Sequence, residues 1–319
     1  MNLRRWILWG IAGFLGFLAI LFGNRAGFIS NFIVYTFLFI IAGEGWNLLG
    51  GYIGEISFGH AVFFGIGCYC VGLPIGYGYT IPLPLLVLLG GVVSAAFAFV
   101  ISYPLLRMRG FPFLIATFGM GIVFERVFHI SDFLFSTRGI FIPAVNSYLL
   151  YSVIGAVTVS SIIFTRWLVD QDLGLSFKAI RDAPEAAQMA GVNIYRTKML
   201  AFVIGAFMTG IAGGLFALYR NFVHPVTVFS MTISLTILLG PYIGGIGTVL
   251  GTAIGAFVVI GIEEVSRALF VSGHHLFLGA MLIIIMLTMR EGIYPTLRRY
   301  LEKISWFNRS GIRRAGQIH

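Results

Sequence analysis

A polar island interrupts an otherwise apolar chain between Asp170 and Lys198. It reads DQDLGLSFKAIRDAPEAAQMAGVNIYRTK and concentrates basic and acidic side chains. Lys178, Arg181 and Glu185 are suited to setting the register of a contact with another protein. We therefore expect this segment to be a binding site for a soluble protein that contacts the membrane protein outside the bilayer.

The centre of this island carries the signals of a short helix. Asp182 is suited to capping the free amides, Pro184 to the first turn, and Glu185 to completing a capping box. Ala186, Ala187 and Ala190 continue the helix, and Gly191 is a natural stop because glycine accepts the left-handed conformation. Ala186 and Ala190 share one face, which predicts a small surface that a groove on another protein can approach. The alternative is a solvated loop made of helix-forming residues.

A second polar group begins an apolar stretch at Ser57, Gly59 and His60. Ionisable residues inside a membrane are costly and mark functional sites by default. The imidazole and hydroxyl are suited to binding a polar solute, and the alternative is a hydrogen bond that ties two helices together. Glu55 lies nearer the boundary, so we expect its carboxylate to reach water.

Other kinds of chemistry have little support in the sequence. No nucleotide-binding loop, catalytic triad or metal-ligand arrangement stands out, so the chain is not expected to be an enzyme. Cys68 and Cys70 are predicted to be packing residues. No series of carboxylates and histidines runs through several spans, as a proton-coupled carrier would need, which favours an external energy source. Glu263 and Arg267 are spaced for an ion pair.

Glycines at four-residue spacing predict close helix packing. Such small-residue ladders let membrane helices meet backbone to backbone. They comprise Gly210 with Gly214, Gly247 with Gly251 and Gly255, and Ala61 with Gly65.

The elements that position these residues are predicted to be membrane helices. Hydrophobic residues make up 58% of the 319 residues and charged residues only 10%, against about a quarter charged in soluble domains. Because a span needs about 20 apolar residues, we predict an all-α polytopic bundle of about ten spans, with eight to ten plausible. The predicted spans are 6–23, 29–49, 56–73, 83–105, 111–129, 148–168, 199–219, 230–245, 248–269 and 275–290.

The distribution of basic residues predicts that both termini and the 170–198 loop lie in the cytoplasm. Residues 1–304 would form one transmembrane domain, and 305–319 a polar cytoplasmic tail. The net charge of +9 does not indicate nucleic acid, because the basic residues lie where lipid headgroups would be. With this orientation the inner segments hold Arg4, Arg5, Arg107, Arg109, Arg166, Lys178, Arg181, Arg196, Lys198, Arg290 and the tail; the outer segments hold Arg25, Arg138, Arg220 and Arg267.

Four ordered segments resemble one family. Glu185-Ala186-Ala187, three residues and Gly191 match the core of the cytoplasmic motif of ABC importer permeases, although the later Ile-x-Leu-Pro part is absent. The stretch from Phe177 to Tyr219 is similar to the variant in branched-chain amino acid permeases of the LivM type. GEISFGHAVFFGIGCY at 54–69, RGFPFLIATFG at 109–119 and GGIGTVLGTAIGA at 244–256 resemble further segments of that family.

The resemblance implies a set of partners and roles. The chain would pair with a homologous permease subunit, bind two cytoplasmic ATPase subunits and receive its small-molecule solute from an extracytoplasmic binding protein. ATP and magnesium would be held by the ATPases, with no cofactor on this chain. The location implied is a bacterial or archaeal cytoplasmic membrane. Coupling would use Lys178, Arg181, Asp182, Glu185, Ala186, Ala187 and Gly191; the translocation path would include Ser57, Gly59, His60, Thr117, Gly244, Gly245 and Gly247.

Departures from the family leave the solute open. Glu55 stands where the family often has Gln, and Thr252 where it often has Pro. The expected solute is a branched-chain or other small amino acid. The alternatives are a permease for urea or short amides, and a stand-alone secondary carrier or channel for a small neutral solute.

Overall fold

Long apolar helices account for most of the chain that the structure describes. The computed structural model describes residues 28–135 and 138–269, together with residues 279, 280, 283, 287, 292–297 and 299. The predicted first span at 6–23 and the tail at 305–319 lie outside these residues, as does most of the predicted last span at 275–290.

Helices follow one another through the described ranges with short connections. A π-helix, Leu48–Ile53, continues α1, and the only strands in these ranges are two residues long. The elements are α1 Phe28–Asn47, α2 His60–Gly76, α3 Leu83–Leu105, α4 Phe111–Ile130, β1 Ile140–Phe141, α5 Ser147–Val169, α6 Asp172–Asp182, α7 Pro184–Met189, α8 Ile194–Arg220, β2 Phe222–Val223, α9 Pro225–Val228, α10 Met231–Gly244 and α11 Val249–Leu269.

Eight of the ten predicted spans coincide with helices. Within the described residues, seven helical stretches are long and apolar enough to cross a membrane, and α2 is a shorter apolar helix. A polytopic helical bundle is therefore confirmed, while the total of about ten spans stays a prediction. Gly119 and Gly121 do not break α4, which is continuous from Phe111 to Ile130.

The longest helix, α8, begins earlier than its predicted span at 199–219. The Asn193 side chain accepts a hydrogen bond from the Arg196 amide (3.0 Å) and caps the helix there. Because Arg196 and Lys198 lie in the first turns, hydropathy alone misses these turns.

Helix α8 is the centre of the bundle and packs against α1, α2 and α3. Glycines make the closest crossings. A Cβ added at Gly67 would lie 2.0 Å from the Gly210 carbonyl oxygen, and one at Gly45 would lie 2.5 Å from that of Gly205. Backbones therefore meet directly at these crossings, as small residues allow between membrane helices.

The last described pair of helices, α10 and α11, forms a second contact region against α1. At the other end of α8, β1 pairs antiparallel with β2, and Ile140 lies opposite Val223. Phe32 of α1 meets Phe257 of α11 edge to face. The packing of α10 and α11 therefore supports α1, which the π-helix continues.

Candidate functional site

The predicted docking helix exists as α7, and it stands at the surface. Glu185 and Ala186 are exposed, and Met189 is 84% exposed. Ala187 is buried and anchors the helix, and the Val192 amide donates to the Ala187 carbonyl (3.0 Å). Gly191 ends the turn with φ +88°, the left-handed conformation expected from its type.

The predicted cap of this helix is wrong. Ala183, with φ −154°, is the N-cap residue of α7, and its side chain makes no capping hydrogen bond. Asp182 instead ends α6 and pairs with Arg181 (3.3 Å). The physical reason is Pro184, because a residue that precedes proline is pushed into extended conformations and the first helix must stop there.

Arg181 points back towards the membrane helices, and not along the docking surface as the sequence suggested. Its Nη1 donates to the carbonyl of Gly51 in the π-helix (3.1 Å). A Cβ added at Gly247 would lie 2.9 Å from the same nitrogen. The Arg181 guanidinium therefore hydrogen-bonds the π-helix from α6 and lies close to Gly247 in the loop before α11. Lys178, also predicted to be at the coupling surface, is half-buried on α6.

Asn47 joins the π-helix to the start of α11. Its Oδ1 accepts from the Gly247 amide (2.9 Å), and its Nδ2 donates to Thr252 Oγ1 (3.1 Å). Both partners lie about 200 residues away in the chain, and the side chain is fully buried. The loop that holds Gly245 (φ +131°) and Gly247 (φ +71°) is thereby fixed against α1.

Glu55 forms a buried ion pair and does not extend into water as predicted. Lys198 Nζ contacts its Oε1, and the two side chains are only 6% and 12% exposed. The Gly110 amide donates to Oε2 (3.3 Å). Glu55 therefore links the segment after the π-helix, the start of α8 and the loop before α4.

Residues 54–59 form a non-helical break between the π-helix and α2. Hydrogen bonds from three helices satisfy its backbone. Trp46 Nε1 donates to the Ser57 carbonyl (2.8 Å), and the Phe58 amide donates to Thr117 Oγ1 (3.2 Å). Ser234 Oγ donates to the Phe58 carbonyl (2.5 Å) and accepts from the Ala61 amide (3.1 Å). Protein groups from outside the break therefore pair the backbone at Ser57 and Phe58.

His60 and Glu44 are buried without hydrogen-bond partners among the described residues. The His60 ring meets Phe63 edge to face, and both of its ring nitrogens are free. The hydroxyls of Thr165 and Thr252 face the Glu44 carboxyl without completing a hydrogen bond of normal geometry. Both side chains therefore keep unused hydrogen-bonding capacity inside the bundle.

The glycines predicted to act in the path or in packing lie at close contacts. A Cβ at Gly59 would lie 2.7 Å from Met120 Cε, and one at Gly244 would lie 1.7 Å from the Gly251 carbonyl. Gly210 meets Ser94 and Gly90 of α3, and Gly255 meets Gly240 of α10. Gly214 has looser neighbours, with Val71 Cγ2 at 3.2 Å from an added Cβ. The roles predicted for these glycines stay predictions.

Some residues of this region had no signal in the sequence. In the sequence Lys198 is one of several charged residues of the polar island, and Ser234 is an ordinary member of a predicted span. Only the fold brings them to residues 54–59. The predicted pair of Glu263 and Arg267 does form within α11. Cys68 and Cys70 are both free thiols.

Comparisons with known proteins identify a family of membrane permeases. Residues 28–286 match the family of permease components of branched-chain amino acid transport systems. The chain is 28% identical to the high-affinity branched-chain amino acid transport system permease protein LivM of Salmonella typhimurium, across 84% of this chain and 70% of that protein.

Other relatives cover less of the chain or are less similar. LivH of Escherichia coli, from a branched-chain amino acid transport system, is 24% identical across 78% of this chain and 88% of its own length. An autoinducer 2 import system permease protein, LsrC of an Enterobacter species, is 28% identical across 66% of this chain and 63% of its own length. No solved structure matches. The family match covers most of this chain, and the resemblance to the LivM type is confirmed. The chain therefore belongs to the family of permease components of branched-chain amino acid transport systems.

Proposed function

We propose that this chain is one of two membrane subunits of an ATP-driven importer for a branched-chain or other small amino acid. Its partners would be a homologous permease subunit, two cytoplasmic ATPases that hold ATP and magnesium, and an extracytoplasmic binding protein. Both termini would lie in the cytoplasm, and about ten spans would cross the cytoplasmic membrane of a bacterium or archaeon. The chain itself would catalyse no reaction.

The observation that carries this proposal is the connection between α7 and the break at residues 54–59. α7 is exposed and available to a groove on an ATPase, and α6 precedes it directly. Arg181 connects α6 to Gly51, and the π-helix leads straight into the break. A pull on α7 would therefore reach the membrane segment through one side chain and a few residues of backbone.

The solute path would run past the break at residues 54–59. Broken helices at membrane depth form the solute sites of many transporters, because their backbone and side-chain polar groups face a cavity. Ser57, His60 and Thr117 are buried in this conformation. They would meet the solute when the bundle opens, and the two free nitrogens of His60 would supply hydrogen bonds to it.

Amino acids are the favoured solutes because the relatives that match 84% of this chain are named as permeases of branched-chain amino acid transport systems. The autoinducer 2 relative and the departures at Glu55 and Thr252 keep other small polar solutes, including urea and short amides, as alternatives. Uptake of radiolabelled leucine, competed by each alternative solute, distinguishes them.

Crosslinking from α7 tests the proposed ATPase contact. Met189→Cys, in a chain with Cys68 and Cys70 replaced by Ala, would carry a photoactivated crosslinker in native membranes. We expect an adduct with a P-loop ATPase, identified by mass spectrometry. The control is Tyr79→Cys, whose side chain is 66% exposed at the end of α2. No ATPase adduct at position 189, or equal adducts at both positions, would favour a carrier or channel that works alone.

A further inference from the structure

A groove with a positive lining opens beside α7, at the ends of α3 and α8. Its volume is about 660 Å³, and none of residues 54–59 lines it. Its polar lining includes Arg107, Arg109, Gln188 and Asn193. Lys198 also reaches the groove, although its charge is already balanced by Glu55.

The two arginines of the groove are exposed and have no acidic partner among the described residues. The Arg107 guanidinium lies 3.9 Å from the ring centroid of Tyr103 and contacts the Tyr103 hydroxyl. This stacking holds the guanidinium in place. No acidic side chain is among the described residues that line the groove, so the unpaired charges on its lining are positive.

The groove is continuous with an apolar face of α3. Phe99 is 57% exposed, Val100 70% and Tyr103 57%, and these residues lead along the helix to Arg107. Because α3 is long and apolar enough to cross a membrane, its exposed apolar surface would meet acyl chains, and its end would meet headgroups. Tyrosine and arginine at such a position are typical of the membrane interface.

We propose that this groove binds the phosphate headgroup of an anionic phospholipid, whose acyl chains lie along the exposed face of α3. Arginine presents paired N–H donors that match phosphate geometry, which favours a phosphate ligand over a neutral headgroup. Basic pockets between membrane helices on the cytoplasmic side are known to suit anionic lipids. The bound headgroup would contact Gln188 and Gly191 and so steady the end of α7. The site needs only a bilayer around the bundle, and it would exist whether or not ATP drives transport.

Native mass spectrometry of the purified, delipidated protein tests this site. Phosphatidylglycerol and phosphatidylcholine would be titrated separately, and the bound lipid counted. We expect one phosphatidylglycerol to bind more tightly than phosphatidylcholine, and the double variant Arg107→Gln/Arg109→Gln to lose about ten-fold or more of that affinity. The matched control is Arg126→Gln/Arg138→Gln, which removes two exposed arginines elsewhere and should leave it unchanged.

Further arms separate this lipid from other ligands. Millimolar inorganic phosphate should not displace the lipid, because it lacks the acyl chains that α3 holds. Displacement by phosphate would mean that the groove holds a free anion, and the lipid site would be refuted. Unchanged phosphatidylglycerol binding in the Arg107→Gln/Arg109→Gln variant would also refute it. If that variant lost binding to the ATPase but kept binding to the lipid, the groove would be a protein contact and the lipid site would be refuted.

Discussion

Gly191 holds a backbone conformation that few other residues adopt without strain. Its φ is +88°, and a Cβ added there would meet nothing within 4 Å. A substitution is therefore opposed only by backbone energy, which is about 1–2 kcal/mol for most residues and less for Asn. Substitutions at Gly191 therefore test the backbone conformation of the turn that ends α7, because an added Cβ would not clash with neighbouring atoms.

We expect Gly191→Val to lower ATP-driven uptake strongly and Gly191→Asn to retain most of it. Valine opposes the left-handed conformation, whereas asparagine tolerates it. Uptake in proteoliposomes, compared with the amount of ATPase that copurifies, measures both. Gly119→Ala is the control, because its added Cβ also meets nothing within 4 Å but its backbone is ordinary helix. Equal losses for valine and asparagine would show that the conformation of Gly191 is unimportant.

The buried pair of Lys198 and Glu55 makes a second prediction at this scale. Lys198→Met leaves a carboxylate that is nearly buried and unpaired, which should cost about 3 kcal/mol of stability. Adding Glu55→Gln should restore most of it, because the remaining amide is neutral. Thermal unfolding of the detergent-solubilised protein measures both variants. If the double variant is no more stable than Lys198→Met alone, the two side chains do not depend on each other.

Sequence reasoning succeeded at the residue scale where one local rule decided the outcome. Gly191 was predicted to be a helix stop because its conformation depends only on its own backbone. Asp182 was assigned as a cap because its type and spacing fit, but Pro184 forced the break one residue later. Glu55 had no local signal for its partner, since Lys198 is 143 residues away and only the fold brings them together.

Helix packing at the scale of elements depends on which glycine faces a neighbour. On α11, a Cβ added at Gly255 would lie 1.8 Å from the Gly240 carbonyl oxygen of α10. On the same helix, one at Gly261 would meet only the Phe32 ring, at 3.8 Å. The two positions differ in their surroundings and not in their secondary structure.

We expect Gly255→Ala to destabilise the protein by about 1–3 kcal/mol, because backbone of α10 must move away. Gly261→Ala should be neutral or stabilising by up to about 1 kcal/mol, since alanine favours helix and has room. Thermal unfolding of both variants in one detergent tests this. Similar losses would mean that glycine at these positions serves helix flexibility more than contact between α10 and α11.

The elements themselves followed hydropathy closely, since apolar runs of sufficient length form membrane helices in most contexts. Their polar ends did not. α8 starts at Ile194 because Asn193 caps it, although charged residues occupy its first turns. The break at residues 54–59 had no periodic signal, because side chains outside it, Trp46, Thr117 and Ser234, hydrogen-bond its backbone.

The whole molecule brings the surface helix α7 and the break at residues 54–59 close to one arginine. Arg181 donates to Gly51 from α6, which continues into α7. The sequence singled out Arg181 as part of the polar island. It did not predict the contact of its side chain with Gly51, because a basic residue in a polar loop usually faces water. In the proposed function, movement of α7 is transmitted to the break through this side chain.

The most direct test is the amount of solute imported per ATP hydrolysed in proteoliposomes that contain the complete complex with Arg181→Gln. We expect hydrolysis to continue while uptake per ATP falls about ten-fold, which corresponds to the loss of a typical coupling free energy. Arg196→Gln, an exposed arginine in the first turn of α8, is the control and should leave the ratio unchanged. An unchanged ratio in Arg181→Gln would contradict the account.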